Sequence, residues 1–225
     1  MDFTNTVAVV TGANRGLGRH LAAQLIERGA KVYAGARNPA GVDLPGAIPL
    51  QLDITDPTSV QRATEIATDV NLFISNAGID TRTSLIDGPF ENIRRELETH
   101  LFGTLTTLRG FVPTIERNGG GTILNVLSVL SWVHPARHAA YSVAKAAEWA
   151  MTDVLREELA DKGITVSGLH VGYLDTDMAA DIPAEQKQDP ATIAKIALDG
   201  IAEGNVEIIA DDFSRSVKAS LSAAK

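Results

Sequence analysis

Apolar residues in this chain fall into short continuous runs and into longer stretches where they recur at helical spacing. The short runs predict strands at 7–10, 31–35, 48–52, 72–75, 122–127, 164–170 and 206–210. Several of them do not alternate with polar residues, as expected for strands covered on both faces. The longer stretches predict helices at 17–28, 57–68, 90–116, 141–162 and 191–203. Strands alternating with helices predict an α/β fold with a parallel sheet, right-handed crossovers and helices on both sides.

The end of the chain carries one further helical pattern. Between 213 and 221 an apolar residue stands at every fourth position, which predicts a terminal helix docked on the body or on a partner subunit. Neither a low-complexity linker nor a solenoid-type repeat interrupts the alternation. We therefore expect residues 1–225 to form one domain.

Composition narrows the class of protein. The chain is 44% hydrophobic and 21% charged, as in ordinary soluble proteins, and its net charge of −8 with scattered basic residues disfavours nucleic acid and anionic membranes as partners. The absence of cysteine excludes disulfides, thiolate metal ligands and cysteine nucleophiles. No signal-type segment or membrane-length apolar run is present, so we expect a cytoplasmic protein. His134 and His138 lack a carboxylate to complete a ligand set, so we expect no metal.

A glycine-rich turn follows the first strand, in the order Thr11-Gly12-Ala13-Asn14-Arg15-Gly16-Leu17-Gly18. Glycines let a backbone approach a pyrophosphate closely, and the N-terminus of the following helix offers N–H groups and a partial positive charge. Because turns use glycine freely, the order strand, glycines, helix is what indicates a dinucleotide site. The spacing Gly-x-x-x-Gly-x-Gly differs from the usual fingerprint in its wider first gap.

The end of the second strand bears on which dinucleotide binds. An acidic residue there holds a ribose 2′-hydroxyl, whereas an arginine accommodates a 2′-phosphate. The run Gly35-Ala36-Arg37 has no acid, and both Arg37 and Arg15 would bind phosphate oxygens. The alternative is that both are surface arginines. We predict NADP(H) rather than NAD(H).

Polar residues also follow the next two strands. Asp53, at the end of the third, would accept a hydrogen bond from the adenine amino group, unless it is only a cap or turn residue. Asn76-Ala77-Gly78 ends the fourth strand, on the side where open parallel sheets bind ligands. Both segments therefore join the predicted cofactor site.

Tyr141 and Lys145 stand four residues apart in a predicted helix, and Ser128 lies thirteen residues before the tyrosine. This spacing places the phenol and the ammonium on one helix face, one turn apart. A cation at about 4 Å favours the phenolate, so the tyrosine would exchange protons nearer neutral pH than its ordinary pKa allows. Taken alone, the pair is also typical of a solvated helix surface.

Together, these residues resemble the standard, non-extended branch of the short-chain dehydrogenase/reductase family. The matches appear in family order over nearly the whole chain: the loop at 11–18, Asp53, Asn76-Ala77-Gly78, Ser128, the Tyr141/Lys145 pair, and Gly172-Tyr173-Leu174-Asp175-Thr176. The resemblance implies a Rossmann-like, doubly wound α/β sheet of about seven parallel strands. It also implies an NADPH-dependent carbonyl reductase or alcohol dehydrogenase acting on a small, largely apolar ketone, aldehyde or secondary alcohol.

The resemblance also implies residue roles. Ser128 would hydrogen-bond the substrate carbonyl, Tyr141 would exchange a proton with its oxygen, and Lys145 would lower the phenol pKa and bind the nicotinamide ribose. Thr176 would contact the nicotinamide carboxamide. The predicted cofactor-binding residues are Gly12, Asn14, Arg15, Gly16, Leu17, Gly18, Arg37, Asp53, Ile54, Asn76, Ala77, Gly78, Tyr141, Lys145, Gly172 and Thr176.

Three positions depart from the family pattern. His100 replaces the usual relay asparagine, and it would either join the proton relay as a fourth catalytic residue or have no chemical role. Val171 replaces the proline before Gly172, which loosens a turn beside the nicotinamide. Ser75 replaces the first asparagine of the usual Asn-Asn-Ala-Gly, with a small structural effect expected.

The substrate pocket and the assembly follow from the same resemblance. The expected pocket lining, with plain packing as the alternative for each residue, is Leu130, Trp132, Val133, His134, His138, Leu174, Met178 and Ile182. The helices carrying His100 and Tyr141 would form a homodimer or homotetramer interface, with Trp149 and Met151 either there or in the subunit core.

Two other functions compete on the same fold. An NADP-binding redox sensor needs no proton donor, so an intact Ser128, Tyr141 and Lys145 disfavours that reading. A dehalogenating lyase of this fold would lack the glycines and the lysine.

Overall fold

The computed structural model describes residues 2–222, and in that part of the chain seven strands form one parallel sheet. The strand order is β3-β2-β1-β4-β5-β6-β7. Every neighbouring pair is parallel, which confirms the predicted doubly wound α/β fold. The strands are β1 (Val7–Thr11), β2 (Lys31–Ala36), β3 (Ala47–Gln51), β4 (Leu72–Ser75), β5 (Gly121–Val126), β6 (Ile164–His170) and β7 (Glu207–Ile209).

Helices follow the strands where the pattern predicts them, with end shifts of a few residues. Two helices start at a proline that follows a capping aspartate: Asp56 accepts from Thr58 N, and Asp189 accepts from Ala191 N and Thr192 N. The α-helices are α1 (Gly16–Glu27), α2 (Pro57–Ile66), α3 (Phe90–Leu97), α4 (Thr104–Arg117), α5 (Ala139–Glu158), α6 (Pro190–Ala202) and α7 (Asp212–Ser220).

The stretch predicted as one helix over 90–116 is interrupted. A six-residue π-helical segment, Glu98–Gly103, joins α3 to α4 and carries His100. Such segments are rare and occur often at functional sites. Periodicity does not reveal this one, because apolar spacing runs through it unbroken.

Helices cover both faces of the sheet and bury two apolar layers. On one face α1 and α6 pack against residues such as Val10, Leu124 and Leu169. On the other, α2, α4 and α5 pack around Phe73, whose ring contacts that of Phe111 at a centroid distance of 4.9 Å. Both layers are contiguous with the sheet, so the strand ends are held rigidly.

The terminal helix α7 docks on the body of the chain. Its N-cap Asp211 accepts hydrogen bonds from Ser214 N and from Gly172 N, both at 2.8 Å. Lys218 lies over the ring of Trp132 at 4.8 Å, and Trp149 packs edge to face on the same indole at 6.1 Å. Trp149 therefore lies in the subunit's own packing. Within residues 2–222, no helix is long and apolar enough to cross a membrane.

Candidate active site

The site lies at the carboxyl ends of the strands, where β1 and β4 are neighbours and the chain winds away on either side. Thr11 Oγ1 accepts hydrogen bonds from Asn76 N at 2.8 Å and from Ala77 N at 2.9 Å. The Asn76 side chain in turn donates to Thr11 O at 2.9 Å. These bonds hold the glycine loop and the segment after β4 against each other at the switch point of the sheet.

The glycines of the loop serve two purposes. Gly12 and Gly16 have φ of +67° and +53°, a region that side-chain-bearing residues rarely adopt. Gly18 does not line the cavity, because it packs against Gly12 O and the Asn76 side chain, where a Cβ would clash. Gly18 therefore supports the loop from below, and its predicted contact with the cofactor stays a prediction.

The N-terminus of α1 opens into a cavity of about 1350 Å³ that runs across the strand ends. Its N-cap, Arg15, makes no side-chain capping bond, so no capping side chain occupies the first N–H groups of the helix, and Gly16 and Leu17 at its start line that space. Arg37 lines the same cavity beside Asn38, and Arg15 pairs with the exposed Asp177 at 3.0 Å. An uncapped helix start, close-packed glycines and an arginine at the end of β2 fit a phosphorylated dinucleotide.

Other predicted cofactor residues line this cavity as well. Asp53 also forms a turn, in which one carboxylate oxygen accepts from Thr55 N at 3.0 Å and from Thr55 Oγ1 at 2.8 Å. Thr176 lies next to the glycine loop, since a Cβ on Gly16 would come within 3.3 Å of its methyl group. The lining includes Gly12, Asn14, Arg15, Gly16, Leu17, Arg37, Asp53, Ile54, Asn76, Ala77, Gly78, Gly172 and Thr176.

Gly172 has a support that the sequence reading missed. Its N–H donates to the buried carboxylate of Asp211 at 2.8 Å. The turn that Val171 was expected to loosen is therefore tied to the start of α7.

The four predicted catalytic residues, Ser128, Tyr141, Lys145 and His100, all line one end of the cavity. Ser128 follows β5 and caps a short 3-10 turn, its Oγ accepting from Leu130 N at 3.1 Å. Tyr141 and Lys145 lie on one face of α5, with the ammonium 5.8 Å from the phenol ring centroid. Lys145 is 5% exposed and donates to Val126 O at 2.8 Å and to Glu148 Oε2 at 2.7 Å.

The pKa of the Tyr141 phenol is raised, whereas the sequence predicted that it would be lowered. Burial raises the pKa of Tyr141, and Glu148 and Asp80 raise it further. Lys145 and Ser128 act in the opposite direction but do not offset this, so the pKa lies above its ordinary value. Lys145 therefore acts on the phenol pKa in the expected direction, but burial outweighs it.

His100 is buried between two carboxylates. Its Nε2 lies 2.8 Å from Ile79 O and 3.4 Å from Glu96 Oε2, and its Nδ1 lies 3.8 Å from Glu148 Oε2. Its ring meets the ring of Tyr141 edge to face at 5.2 Å. The imidazole thus contacts the predicted proton donor.

A partly buried hydrogen-bond chain reaches the cavity from the loop after β4. Asp80 lies 2.7 Å from His138 Nδ1, and His138 Nε2 lies 3.1 Å from the hydroxyl of Tyr173. Arg82 joins this loop to the segment after Thr176 through Asp181, with two contacts of 2.8 Å. An ion pair therefore connects the loop after β4 to the segment after Thr176 at the edge of the cavity.

Only some of the residues expected around the substrate line the cavity. Within the described residues no group of three or more histidines and carboxylates could hold a metal ion. Trp132 and Ile182 do not line the cavity as expected: they are 6% and 5% exposed and pack elsewhere. The expected residues that do line it are Leu130, Val133, His134, His138, Leu174 and Met178.

The comparisons with known proteins agree with this geometry. A sequence model of the family described as short chain dehydrogenase matches residues 6–187. This chain belongs to the short-chain dehydrogenase family. Among curated members, the 3-oxoacyl-(acyl-carrier-protein) reductase FabG of Vibrio cholerae is 31% identical over 206 residues, covering 87% of this chain and 84% of that protein.

Solved structures of the family superimpose closely. A short chain dehydrogenase from Burkholderia cenocepacia, in complex with NADP, has a TM-score of 0.95 and 36% identity, covering 99% of this chain and 95% of its own. A 3-ketoacyl-(acyl-carrier-protein) reductase from Brucella melitensis, complexed with NADH, has a TM-score of 0.83 and 24% identity, covering 92% and 96%. The second likeness supports the fold alone.

Sequence reasoning missed three acids near the site: the buried Glu96 and Glu148, and the half-buried Asp80. Glu148 had a usable signal, since an acid three residues after Lys145 lies on the same helix face. Asp80 comes two residues after Gly78, at the binding edge of the sheet. Glu96 had a similar signal, since it stands four residues before His100. Its contact with Thr81 N appears only in the tertiary structure.

Proposed function

We propose that this protein is an NADPH-dependent carbonyl reductase, reversible as an alcohol dehydrogenase. One observation carries the proposal: Ser128, Tyr141 and Lys145 meet at one end of a single cavity whose other end holds the glycine loop and Arg37. A carbonyl at the first end and a nicotinamide dinucleotide along the rest would lie side by side.

Each residue has a chemical task in this proposal. Ser128 donates a hydrogen bond to the substrate carbonyl, and Tyr141, protonated at neutral pH, gives its proton to the forming alkoxide. Bound NADPH would supply the hydride. Residues of the glycine loop and the open start of α1 hold the pyrophosphate, and Arg37 binds the 2′-phosphate.

The substrate in this proposal is a small, largely apolar ketone or aldehyde. Leu130, Val133, Leu174 and Met178 supply apolar lining, and the hydrogen-bonded Tyr173 hydroxyl supplies one polar contact. The relatives' names make a 3-oxoacyl thioester a reasonable member of the same substrate panel.

The test is NADPH and NADH consumption by purified protein with aryl ketones, aldehydes, diketones and a 3-oxoacyl thioester. Turnover with NADPH that disappears in Tyr141→Phe supports the proposal. Saturable NADPH binding without turnover on any substrate would favour the redox-sensor alternative. Absence of both would overturn the cofactor assignment as well.

A further inference from the structure

Asp80, His138 and Tyr173 form a chain of hydrogen bonds that borders the cavity and takes no part in the proposed proton transfer. Asp80 Oδ2 lies 2.7 Å from His138 Nδ1, and His138 Nε2 lies 3.1 Å from the Tyr173 hydroxyl. All three residues line the cavity. In the part of the chain that the structure describes, the Tyr173 hydroxyl makes no other hydrogen bond. Its remaining hydrogen-bonding capacity is therefore available to a bound molecule.

This hydrogen-bond chain lies beside the reacting end of the cavity. His138 is the N-cap of α5 and stands three residues before Tyr141, so the two side chains lie on the same side of the first helical turn. Asp80 is close enough to the Tyr141 phenol to contribute to raising its pKa. We therefore place the chain against the remainder of a substrate whose carbonyl contacts Tyr141.

The Asp80 carboxylate is held as a hydrogen-bond acceptor. Arg82 Nε lies 2.8 Å from its Oδ2, and Arg82 N donates to its Oδ1 at 3.0 Å. Because an ionised carboxylate has only acceptors, the nitrogen of His138 that faces it, Nδ1, carries a hydrogen. In the neutral imidazole Nε2 then carries none, so it accepts a hydrogen bond.

The tautomer of His138 determines what the Tyr173 hydroxyl offers to the cavity. Since Nε2 accepts, the hydroxyl donates its only hydrogen to that nitrogen, and the lone pairs of the phenolic oxygen remain. His138 is 1% exposed, so packing and two hydrogen bonds fix its ring. Tyr173 therefore presents an acceptor, whereas Ser128 and Tyr141 present donors in the proposed function.

We propose that Tyr173 is a specificity-determining residue that accepts a hydrogen bond from the substrate, with His138 and Asp80 as its positioning residues. The inference rests on the proposed reductase function and narrows its substrate class. The matching substrate is a ketone or aldehyde with a second group that donates a hydrogen bond, such as a hydroxyl or an amide N–H. A site that places a polar group in this way discriminates against analogues that lack its partner.

The experiment compares three acetophenones with the same number of heavy atoms, which carry a hydroxymethyl, a methoxy or an ethyl group at the meta position, and the three para isomers as a second series. The hydroxymethyl group donates a hydrogen bond, the methoxy group only accepts one and the ethyl group does neither. The quantity measured is kcat/KM with NADPH, in the wild type and in Tyr173→Phe.

In at least one series the ratio of kcat/KM for the hydroxymethyl compound to that for the methoxy compound should fall by about threefold to tenfold in Tyr173→Phe, as expected for one neutral hydrogen bond. The fall should lie mainly in KM, because the bond is present before the chemical step. A ratio in Tyr173→Phe that equals or exceeds the wild-type ratio in both series overturns the proposal.

Asp80→Asn tests the tautomer of His138. The asparagine amide donates to Nδ1, which moves the hydrogen of the neutral imidazole to Nε2 and turns the Tyr173 hydroxyl into a donor towards the cavity. The preference should therefore move from the hydroxymethyl compound towards the methoxy compound. An unchanged preference would contradict the assigned roles of Asp80 and His138.

Arg137→Gln is the matched control. Arg137 stands next to His138 and pairs with Asp181 at 2.9 Å, but it does not line the cavity. The ratio for the hydroxymethyl and methoxy compounds should stay at the wild-type value in this variant. A ratio that moves as far in Arg137→Gln as in Tyr173→Phe would show a general effect of the cavity edge and contradict the proposal.

Binding without turnover separates this inference from the reductase function. The same ketones are titrated against the protein with NADP⁺ present, and ligand-observed NMR gives their dissociation constants. The affinity ratio of the hydroxymethyl to the methoxy compound should fall in Tyr173→Phe as the kcat/KM ratio does. That fall in binding with no turnover of any ketone would contradict the reductase function alone. Turnover with equal ratios in the two proteins would contradict the role of Tyr173 alone.

Discussion

The imidazole of His100 occupies the space that a side chain on Gly78 would need: an added Cβ would lie 2.6 Å from His100 Cε1. His100, one of the three residues that depart from the family pattern, is therefore fitted to the glycine of the Asn76-Ala77-Gly78 segment. Gly78→Ala should destabilise the fold by about 1–3 kcal/mol through overpacking. Urea unfolding of the variant measures this loss.

The matched test is a double-mutant cycle with His100→Ala, which removes the ring. Gly78→Ala should lower the unfolding free energy by less in the His100→Ala background, with a coupling energy of roughly 0.5–3 kcal/mol. Additive losses of unfolding free energy would mean that the His100 ring and the residue at position 78 do not interact energetically.

Tyr141→Phe removes the proposed proton donor without changing the ring. We expect carbonyl reduction to fall by about 10²-fold or more, because a positioned general acid contributes on that scale. NADPH affinity, measured by fluorescence titration, should change little. Tyr173→Phe is the control: it removes the other tyrosine hydroxyl of the cavity, which bonds His138, and should raise KM rather than abolish turnover.

Arg37→Asp tests the cofactor preference. Replacing a guanidinium beside the expected 2′-phosphate with a carboxylate should lower kcat/KM for NADPH by about tenfold or more and favour NADH. Arg62→Asp makes the same charge change on an exposed position of α2 outside the cavity, and should leave the preference unchanged. An unaltered NADPH/NADH ratio in Arg37→Asp would refute the assignment of Arg37.

The proposed oligomer interface lies on the helices that carry the site. Phe102, Val143 and Val154 are 51%, 42% and 55% exposed, and the two valines lie three turns apart on one stripe of α5. Covering them in a homodimer or homotetramer would bury this apolar surface. Val154→Asp should lower the mass measured by sedimentation, whereas Ile86→Asp, at a 90% exposed position elsewhere, should not. A wild-type monomer would contradict the interface.

Much of the site could be predicted from the sequence because its residues have fixed positions relative to strand ends or to one helix face. The glycine loop, Ser128 and the Tyr141/Lys145 pair follow strand ends or share one helix face, so sequence spacing determines where they meet. Glu96 and Glu148 stand close to His100 and Lys145 in the sequence, but their burial depends on distant segments. Glu96 meets Thr81 and Glu148 meets Thr104 only through tertiary packing. Burial, which sequence spacing does not reveal, is the main cause of the raised pKa of Tyr141, where we expected a lowered one.

His170 gives the fold a dependence on acid that lies outside the catalytic chemistry. Its ring stacks on Trp132 with centroids 3.8 Å apart, and burial lowers its pKa to about 4 although Ser128 O and Glu207 oppose the shift. The unfolded chain takes up a proton near pH 6.5 and the folded one only near pH 4, so stability should decline as pH falls through that window. The loss reaches roughly 3 kcal/mol.

His170→Phe keeps a flat ring against Trp132 and removes the titrating group. Ser131, which contacts His170 Nδ1 at 3.2 Å, still has Ser128 O as its acceptor in this variant. Urea midpoints at pH 7 and pH 5 should therefore differ less in His170→Phe than in the wild type. Carboxylates with a lowered pKa, such as Asp69 and Asp199, reduce the stability of the fold only at still lower pH. Equal differences in the two proteins would assign the acid sensitivity to groups other than His170.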